Sequence, residues 1–436
     1  MEWQIWFILI IATAVILLAM GVPVFAALGI TSFIFLSINA SLGVALSSVA
    51  TQTWGFWSNY GLLALPLFMV MGEFMFKSGA VSDIYDFTSK WLQNIRGGLA
   101  MVAVGVGAIF GALSGSSVAA VAALGKIQAD EMFKRGYDKS LACGSILGGA
   151  SLAHLIPPSG MAVFYASFVG ISIGQQLFAG FIPGVLLGAL TAIYIFIYVK
   201  IQPSKAPLEP PVSWKEKFLS LKRLIVPAML AIFVLGSIYT GIATVIEAAG
   251  FGALASILVA AISRKVNFQD SLKMLMNAVQ STGFIMLIGA GGALLSFTLN
   301  FYMIPQYLAD VLVGLHLSRY LLMAIIMVAY ILLGCFLDAV SLVVVTLPIL
   351  MPLIIAMDFS LMWFGVALLM TVEIGTYTPP VGFSLYILKG IVGDRATLLE
   401  IFKGAVTVGS IPNLIMIVLL ILFPMIVDWL PNMMTN

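Results

Sequence analysis

Apolar runs long enough to cross a bilayer alternate along this chain with short polar joints, and the pattern is broken in the same way twice. A hydrocarbon core about 30 Å thick asks for roughly 20 apolar residues in a helix. Trp3–Met20 and Val22–Ile38 fit, joined at Gly21-Val22-Pro23, and Trp3–Met20 reads as a retained span rather than a cleaved leader. The uncharged but more polar Asn39–Gly61 follows, then a span at Leu62–Phe76. Over Val81–Ile95, Val81, Ile84, Tyr85, Trp91, Leu92 and Ile95 recur at helical spacing between Asp83, Asp86 and Lys90. That amphipathic pattern predicts a helix lying along the interface.

Gly97–Leu124 is interrupted by Gly111 and by Ser114-Gly115-Ser116-Ser117, with Arg96 and Lys126 at its two ends. Ends with the same charge predict a re-entrant hairpin over 97–125, its tip at the serines. A broken helix over 141–169 contains Pro157-Pro158, and Leu177–Val199 is a further span. Residues 200–223 hold Pro203, Pro207, Pro210 and Pro211 among six basic side chains and read as a linker between halves 1–199 and 224–436. The second half then replays the first. Leu224–Tyr239 and Thr244–Ile262 are spans, Val266–Gln280 is a second amphipathic segment, and Ser281–Phe301 is a span. A hairpin over 320–353, interrupted near Gly334–Ser341, precedes a broken helix over 361–389 containing Pro379-Pro380, and Phe402–Trp429 closes the series.

Proline removes a backbone donor and clashes with the carbonyl four residues back, so each Pro-Pro run must be a broken helix. Freed backbone groups at membrane depth are tolerated only against protein or a watery cavity. Broken helices at corresponding places in two halves are the sequence pointer to a transporter's binding site. A shift of 222 carries Pro157, Pro158 and Gly160 onto Pro379, Pro380 and Gly382, and Ser116 onto Asp338. The fold class expected is an all-α polytopic membrane protein of two inverted repeats, each with five spans and a re-entrant hairpin.

Composition agrees. Of 436 residues, 62% are hydrophobic and 9% charged, with mean hydropathy +1.13, against about 25% charged in a soluble domain. No basic patch with interleaved aromatics points to nucleic acid. Cys143 and Cys335 lie in apolar runs and imply neither a disulfide framework nor a metal site. With residues 200–223 in the cytoplasm, all of the 20 basic residues except Arg319 fall on that side, a strong positive-inside bias. Both termini are then expected in the periplasm.

Four interrupted elements should therefore meet. Unwound carbonyls with Ser and Thr hydroxyls are hard oxygen ligands suited to Na⁺, and half-helix N-termini suit a carboxylate. Glu73, Glu247, Asp338 and Glu373 are ionisable groups within or at the ends of spans, and His154 directly precedes the first break. Each has a bland reading, a satisfied internal pair or a helix cap, and a sharper one, a proton relay or substrate contact.

Gly21-Val22-Pro23, Leu62 to Phe68, Arg96-Gly97-Gly98-Leu99-Ala100, Ser114 to Ser117, Gly136-Tyr137 and Leu155 to Ser159 together resemble the large membrane subunit of tripartite ATP-independent periplasmic (TRAP) transporters. In the second half the resemblance is carried by Gly241 to Thr244 with Glu247-Ala248, Gly334 with Asp338, Pro348 with Pro352, and Thr378 to Gly382. It implies an elevator-type secondary transporter of the ion-transporter superfamily in a bacterial inner membrane, not an enzyme. Its cargo is an organic acid, such as sialic acid, a C4-dicarboxylate or a related carboxylate or sulfonate. No cofactor is implied beyond Na⁺ as coupling ion. The partners implied are a small four-helix membrane subunit and a periplasmic substrate-binding protein. Carried over, one Na⁺ site uses Ser114, Ser117 and backbone at Ala153, Ile156 and Pro158. The other uses Gly334, Gly375, Thr378 and Val381, with the substrate region at Ser116, Ser159, Asp338 and Thr376. Departures occur at Ala153 and His154, at Val245-Ile246, and at Glu373, a position often held by Asn. A free-standing transporter of the same superfamily is the alternative. An intramembrane serine hydrolase using the Ser114–Ser117 cluster and His154 is a remote one.

Overall fold

The computed structural model describes residues 3–92 and 94–434, in which the regular structure is all helix, with no strand among the described residues. The first half opens with α1 (Trp3–Ala19), α2 (Val24–Asn39), α3 (Leu42–Trp57), α4 (Ala64–Ser78) and α5 (Ala80–Leu92). A helical hairpin follows, α6 (Gly98–Ser114) and α7 (Ser117–Leu124), running through a wide π turn into α8 (Asp130–Lys134). The first broken helix is α9 (Lys139–Ser151) and α10 (Gly160–Val169), and α11 (Ile173–Ile201) closes the half. The second half comprises α12 (Trp214–Tyr239), α13 (Val245–Ile262), α14 (Phe268–Phe301) and α15 (Ile304–Gly314). The hairpin α16 (Arg319–Gly334) and α17 (Ala339–Ala356) precedes the broken helix α18 (Leu361–Thr376) and α19 (Phe383–Val392). Last come α20 (Leu398–Gly404), α21 (Ile411–Leu422) and the short α22 (Met425–Asp428). Among the described residues, 7 helices are long and apolar enough to cross a membrane.

Several boundaries differ from the sequence reading. Val266–Gln280 is no separate surface segment. It is the first part of the 34-residue α14, which continues through the expected span; its exposed Phe268, Leu272 and Val279 make the stripe that suggested an interfacial helix. Asn39–Gly61 is mostly helix: Ser41 accepts from the Val44 amide and starts α3. Moved on by 222, α5 falls on α15, so the short amphipathic partner of 81–95 is 304–314, not 266–280. The linker is also shorter than 200–223. A capping box between Ser213 and Glu216 starts α12 at Trp214, satisfying orphan donors that an unwound segment would leave open. What remains is held down, because Asn94 Oδ1 accepts from the Val212 amide (3.1 Å) and buried Glu209 pairs with Arg135.

Packing divides the helices into two groups. α1–α4 and α12–α14 form a frame, in which α4 lies on α13 and α2 on α14; α5 packs on both α12 and α6, and α15 mainly on α17. The hairpins and broken helices form the other group, with α6 on α9 and α16 on α18. α11 and α20–α21 pack on that second group. Glycine makes this possible: a Cβ on Gly404 would come within 2.0 Å of the Ser140 carbonyl, and one on Gly180 within 2.5 Å of the Leu155 carbonyl. With lipid as apolar as leucine, such close backbone approach is what drives helices together.

Candidate functional site

The first hairpin's tip is seated on the first break. Ser114 ends α6, Gly115 turns through a left-handed conformation (φ +62°), and Ser116 caps α7 by accepting from the Ala119 amide at 3.3 Å. The Gly160 amide donates to the Gly115 carbonyl at 3.1 Å, and a Cβ on Gly115 would stand 2.7 Å from the Pro158 carbonyl. Only a bare backbone fits there. α9 stops at Ser151, the chain unwinds through Ala153, Ile156 and Pro158, and Ser159 caps α10 from 3.2 Å. A Cβ on Gly111 would come 2.6 Å from the Ala153 Cα, so α6 and the break are in backbone contact. The tip that carries Ser114 and Ser117 is thus pressed, through Gly115, against the unwound chain at Pro158 and Ser159. Every residue from Leu152 to Ser159 is buried.

The second hairpin repeats this with different chemistry. Gly334 ends α16 and Asp338 caps α17, accepting from the Val340 and Ser341 amides, each at 3.1 Å. Ser116 and Asp338, related by the 222 shift, thus do the same local job. The amides of Val381 and Gly382 both donate to the Cys335 carbonyl at 3.2 Å, fastening tip to break. Gly334 and Gly375 meet where α16 crosses α18; a Cβ on Gly375 would lie 2.7 Å from the Gly334 Cα. The Thr378 hydroxyl donates to the Ile374 carbonyl (2.6 Å) and that of Thr376 to the Glu373 carbonyl (2.8 Å). This is helix back-bonding, yet a hydroxyl that donates its proton keeps oxygen lone pairs for a cation. Val381 is 44% exposed.

The two breaks meet through a close polar contact. His154 Nδ1 lies 2.6 Å from Glu373 Oε2, and both side chains are buried. Beside it, Asn413 Nδ2 donates to the Tyr377 hydroxyl (3.2 Å), the Gly409 carbonyl (2.9 Å) and, at 3.5 Å, Ser151 Oγ. Asn413 was missed from sequence, although a lone amide in an apolar span is itself a signal. Glu247 takes no part; it closes a capping box with Thr244 at the start of α13.

Between tip one and the frame lies a cavity of about 450 Å³, into which Ser114, Ser116, Glu73, Lys126, Asn277 and Ser281 project. Asn277 escaped the sequence reading because it lies on the segment taken for a surface helix, and Ser281 because it opens the span read after it. The cavity's one basic group, Lys126, lies at the foot of α7, whose N-terminus carries the positive end of the helix dipole. The site thus offers unwound carbonyls, hydroxyls and one ammonium around a space large enough for a small organic molecule. It has no paired nucleophile and base: His154, the base of the hydrolase reading, is engaged with Glu373.

Comparison with known proteins agrees with this layout. Residues 11–430 match the family described as "Tripartite ATP-independent periplasmic transporter, DctM component". The C4-dicarboxylate TRAP transporter large permease protein DctM of Pseudomonas aeruginosa is 31% identical over 388 residues, 89% of this chain and 88% of the relative. The sialic acid TRAP transporter large permease protein SiaM of Vibrio cholerae is 28% identical over 418 residues, 96% of each chain. Among solved structures, the Alcanivorax borkumensis YdaH transporter superposes with a TM-score of 0.62 at 13% identity, over 88% of this chain and 89% of that one, a likeness of fold. With relatives that are permeases throughout and a family match running nearly end to end, this chain belongs to the DctM family, the large membrane permeases of TRAP transporters.

Proposed function

We propose that this chain carries an organic acid across the bacterial inner membrane, coupled to Na⁺, by moving the hairpin and broken-helix group against the frame. The observation that carries this reading is the seating of each hairpin tip on its own break, through Gly160 on Gly115 and Gly382 on Cys335. That arrangement gathers non-helical carbonyls and hydroxyls at two equivalent points, in a place where unwound backbone is tolerated only against protein or a watery cavity and marks binding sites in transporters. Site one is Ser114 and Ser117 with backbone at Ala153, Ile156 and Pro158; site two is Gly334, Gly375, Thr378 and Val381. A carboxylate in the adjoining cavity would meet the start of α7 and Lys126. The Pseudomonas relative is named for C4-dicarboxylates and the Vibrio relative for sialic acid, so carboxylates are the substrate class favoured.

The moving group in this reading includes α11 and α20–α21, which pack with it. The arms joining it to the frame are α5 and α15. Moved on by 222, the bounds of α6, α9 and α10 fall within one residue of the start of α16, α18 and α19, which favours an inverted duplication. The chain contributes no soluble domain able to capture substrate, so delivery falls to a periplasmic binding protein, with a small four-helix subunit beside the frame.

The test is reconstitution of this chain with the small subunit and the binding protein in liposomes. Uptake of a carboxylate should require all three and an inward Na⁺ gradient. Robust uptake by the isolated chain would favour the free-standing alternative, and uptake indifferent to Na⁺ would remove both sites.

A further inference from the structure

At one end of the frame, the end of α4, the start of α5, the first half of α12 and the end of α13 surround a second polar pocket with a volume of about 350 Å³. Its polar lining is Ser78 at the end of α4, Asp83 in the first turn of α5, Lys222 and Arg223 on α12, and Ser263 and Lys265 after α13. Three cations thus converge on one carboxylate. Arg223 reaches Asp86 at 3.4 Å, outside the pocket, whereas Lys222 and Lys265 have no ion pair among the described residues. The α4–α5 turn passes through Gly79 in a left-handed conformation (φ +96°), and a Cβ there would stand 2.4 Å from Lys265 Nζ. The absence of a side chain at Gly79 is what lets the ammonium lie in the pocket.

The remaining wall is apolar. Val226, Val259 and Ile262 continue from the basic end along the outer surface of the frame, Val226 being 45% and Ile262 80% exposed, while Met75 is fully buried. A cluster of cations near the end of membrane spans, two of them without an ion pair among the described residues and opening onto an apolar surface, matches a phosphate carrying acyl chains. A free anion would use the cations and leave the groove idle. A peptide carboxylate would need donors in a planar arrangement, and two of the three cations here are lysines, which act as point charges.

We propose that this pocket binds the phosphate of an anionic phospholipid, with Lys222, Arg223 and Lys265 around the headgroup and an acyl chain along Val226 and Ile262. The bound headgroup ties the α4–α5 turn to α12 and α13, the corner of the frame from which the arm α5 departs. Asp83 opposes the phosphate, so it weakens affinity and favours headgroups that carry a hydrogen-bond donor to meet it.

Native mass spectrometry on the full chain co-purified with its small subunit tests this directly, without reference to transport. Phosphatidylglycerol should remain bound where phosphatidylcholine does not. The double substitution Lys222→Gln/Lys265→Gln should lower phosphatidylglycerol affinity about tenfold, and Asp83→Asn should raise it. All three positions are on the outside of helices or in a loop, so folding is retained, and an unchanged melting temperature documents it. A control double, Lys200→Gln/Lys215→Gln, removes the same charge elsewhere and should leave affinity unaltered. Equal retention of the two lipids overturns the proposal, as does an equal loss in the control, which would make the effect diffuse surface charge. Competition by millimolar inorganic phosphate that empties the pocket of lipid would assign it to a free anion and overturn the lipid assignment.

Discussion

The two breaks are built to one plan and placed in unlike surroundings. Around Pro157-Pro158 every residue from Leu152 to Ser159 is buried, with α6 and α11 pressed against the unwound chain. Around Pro379-Pro380 the chain is half-buried at Thr378 and exposed from Pro379 to Val381. The tips differ in the same sense: tip one is capped by a neutral serine, tip two by a carboxylate. Two equivalent segments in inequivalent environments are what one end state of a symmetric exchange would look like, the other end state having the environments reversed. The cavity against tip one fits that description. The comparison also says where substitution should hurt: enclosed break one has no room to adjust, and open break two has.

The largest effect is expected where glycine lets backbones touch behind break one. A Cβ on Gly149 would come 2.3 Å from the Ala103 carbonyl, so Gly149→Val should prevent α6 from docking on α9. It should abolish both transport and a cooperative melt, since overpacking a rigid core costs ~1–3 kcal/mol even where side chains can yield. Gly283→Ala on α14, with nothing within 4 Å, should be neutral or slightly stabilising. A normal melt for Gly149→Val would dissolve the contrast.

Next in size is the pair that joins the breaks. Removing one member of a buried polar pair leaves the other unsatisfied at a cost of about 1–3 kcal/mol, so His154→Leu and Glu373→Gln should each lower the melting temperature. The double variant should lose less than the two losses added. Strict additivity would mean the 2.6 Å contact contributes no coupling.

Smaller, and specific to function, are the hydroxyls. Ser117→Ala should raise the Na⁺ concentration for half-maximal uptake about tenfold, equivalent to ~1.4 kcal/mol of binding. Thr378→Val should shift it less, because site two is open to other ligands. An equal shift for both would say that exposure does not matter to ion affinity, and no shift for either would remove the hydroxyls as ligands.

The smallest effects belong to the caps. Ser116→Ala and Asp338→Ala should each cost about 1 kcal/mol in thermal unfolding. Asp338→Ala should be the costlier, since both caps are half-buried but Asp338 accepts from two amides and the Ser341 hydroxyl whereas Ser116 accepts from one amide.

Much of this was legible from the residues. The Pro-Pro pairs marked the breaks because proline's missing donor is a strict constraint in hydrocarbon, and the serine cluster marked tip one because glycine and serine interrupt an apolar run. Ser116 and Asp338 were matched by spacing alone, and the structure shows both starting a helix. Less visible was anything decided by packing between distant segments. The stripe of Phe268, Leu272 and Val279 is the outer face of a long helix rather than of a short surface one, because periodicity reports a face and not where a helix ends. The placement of α11 on the breaks rests on Gly180 and Gly184, and nothing in a run of apolar residues says which neighbour will fill such a notch. Asn277 followed α14 out of view for the same reason.

One consequence of α14 is mechanical. At 34 residues it is a rod of about 51 Å, unbroken where the matching stretch of the first half is jointed between Trp57 and Tyr60. One half of the molecule thus supplies a stiff strut and the other an elbow. The elbow is not idle: Asn59 Nδ2 donates to the Ser167 carbonyl of α10 at 3.2 Å, and Trp57 Nε1 to the Met286 carbonyl of the strut at 3.0 Å. Load applied along α10 therefore arrives first at a joint that can bend, while the strut opposite keeps its length, so the frame yields at one corner and resists at the other.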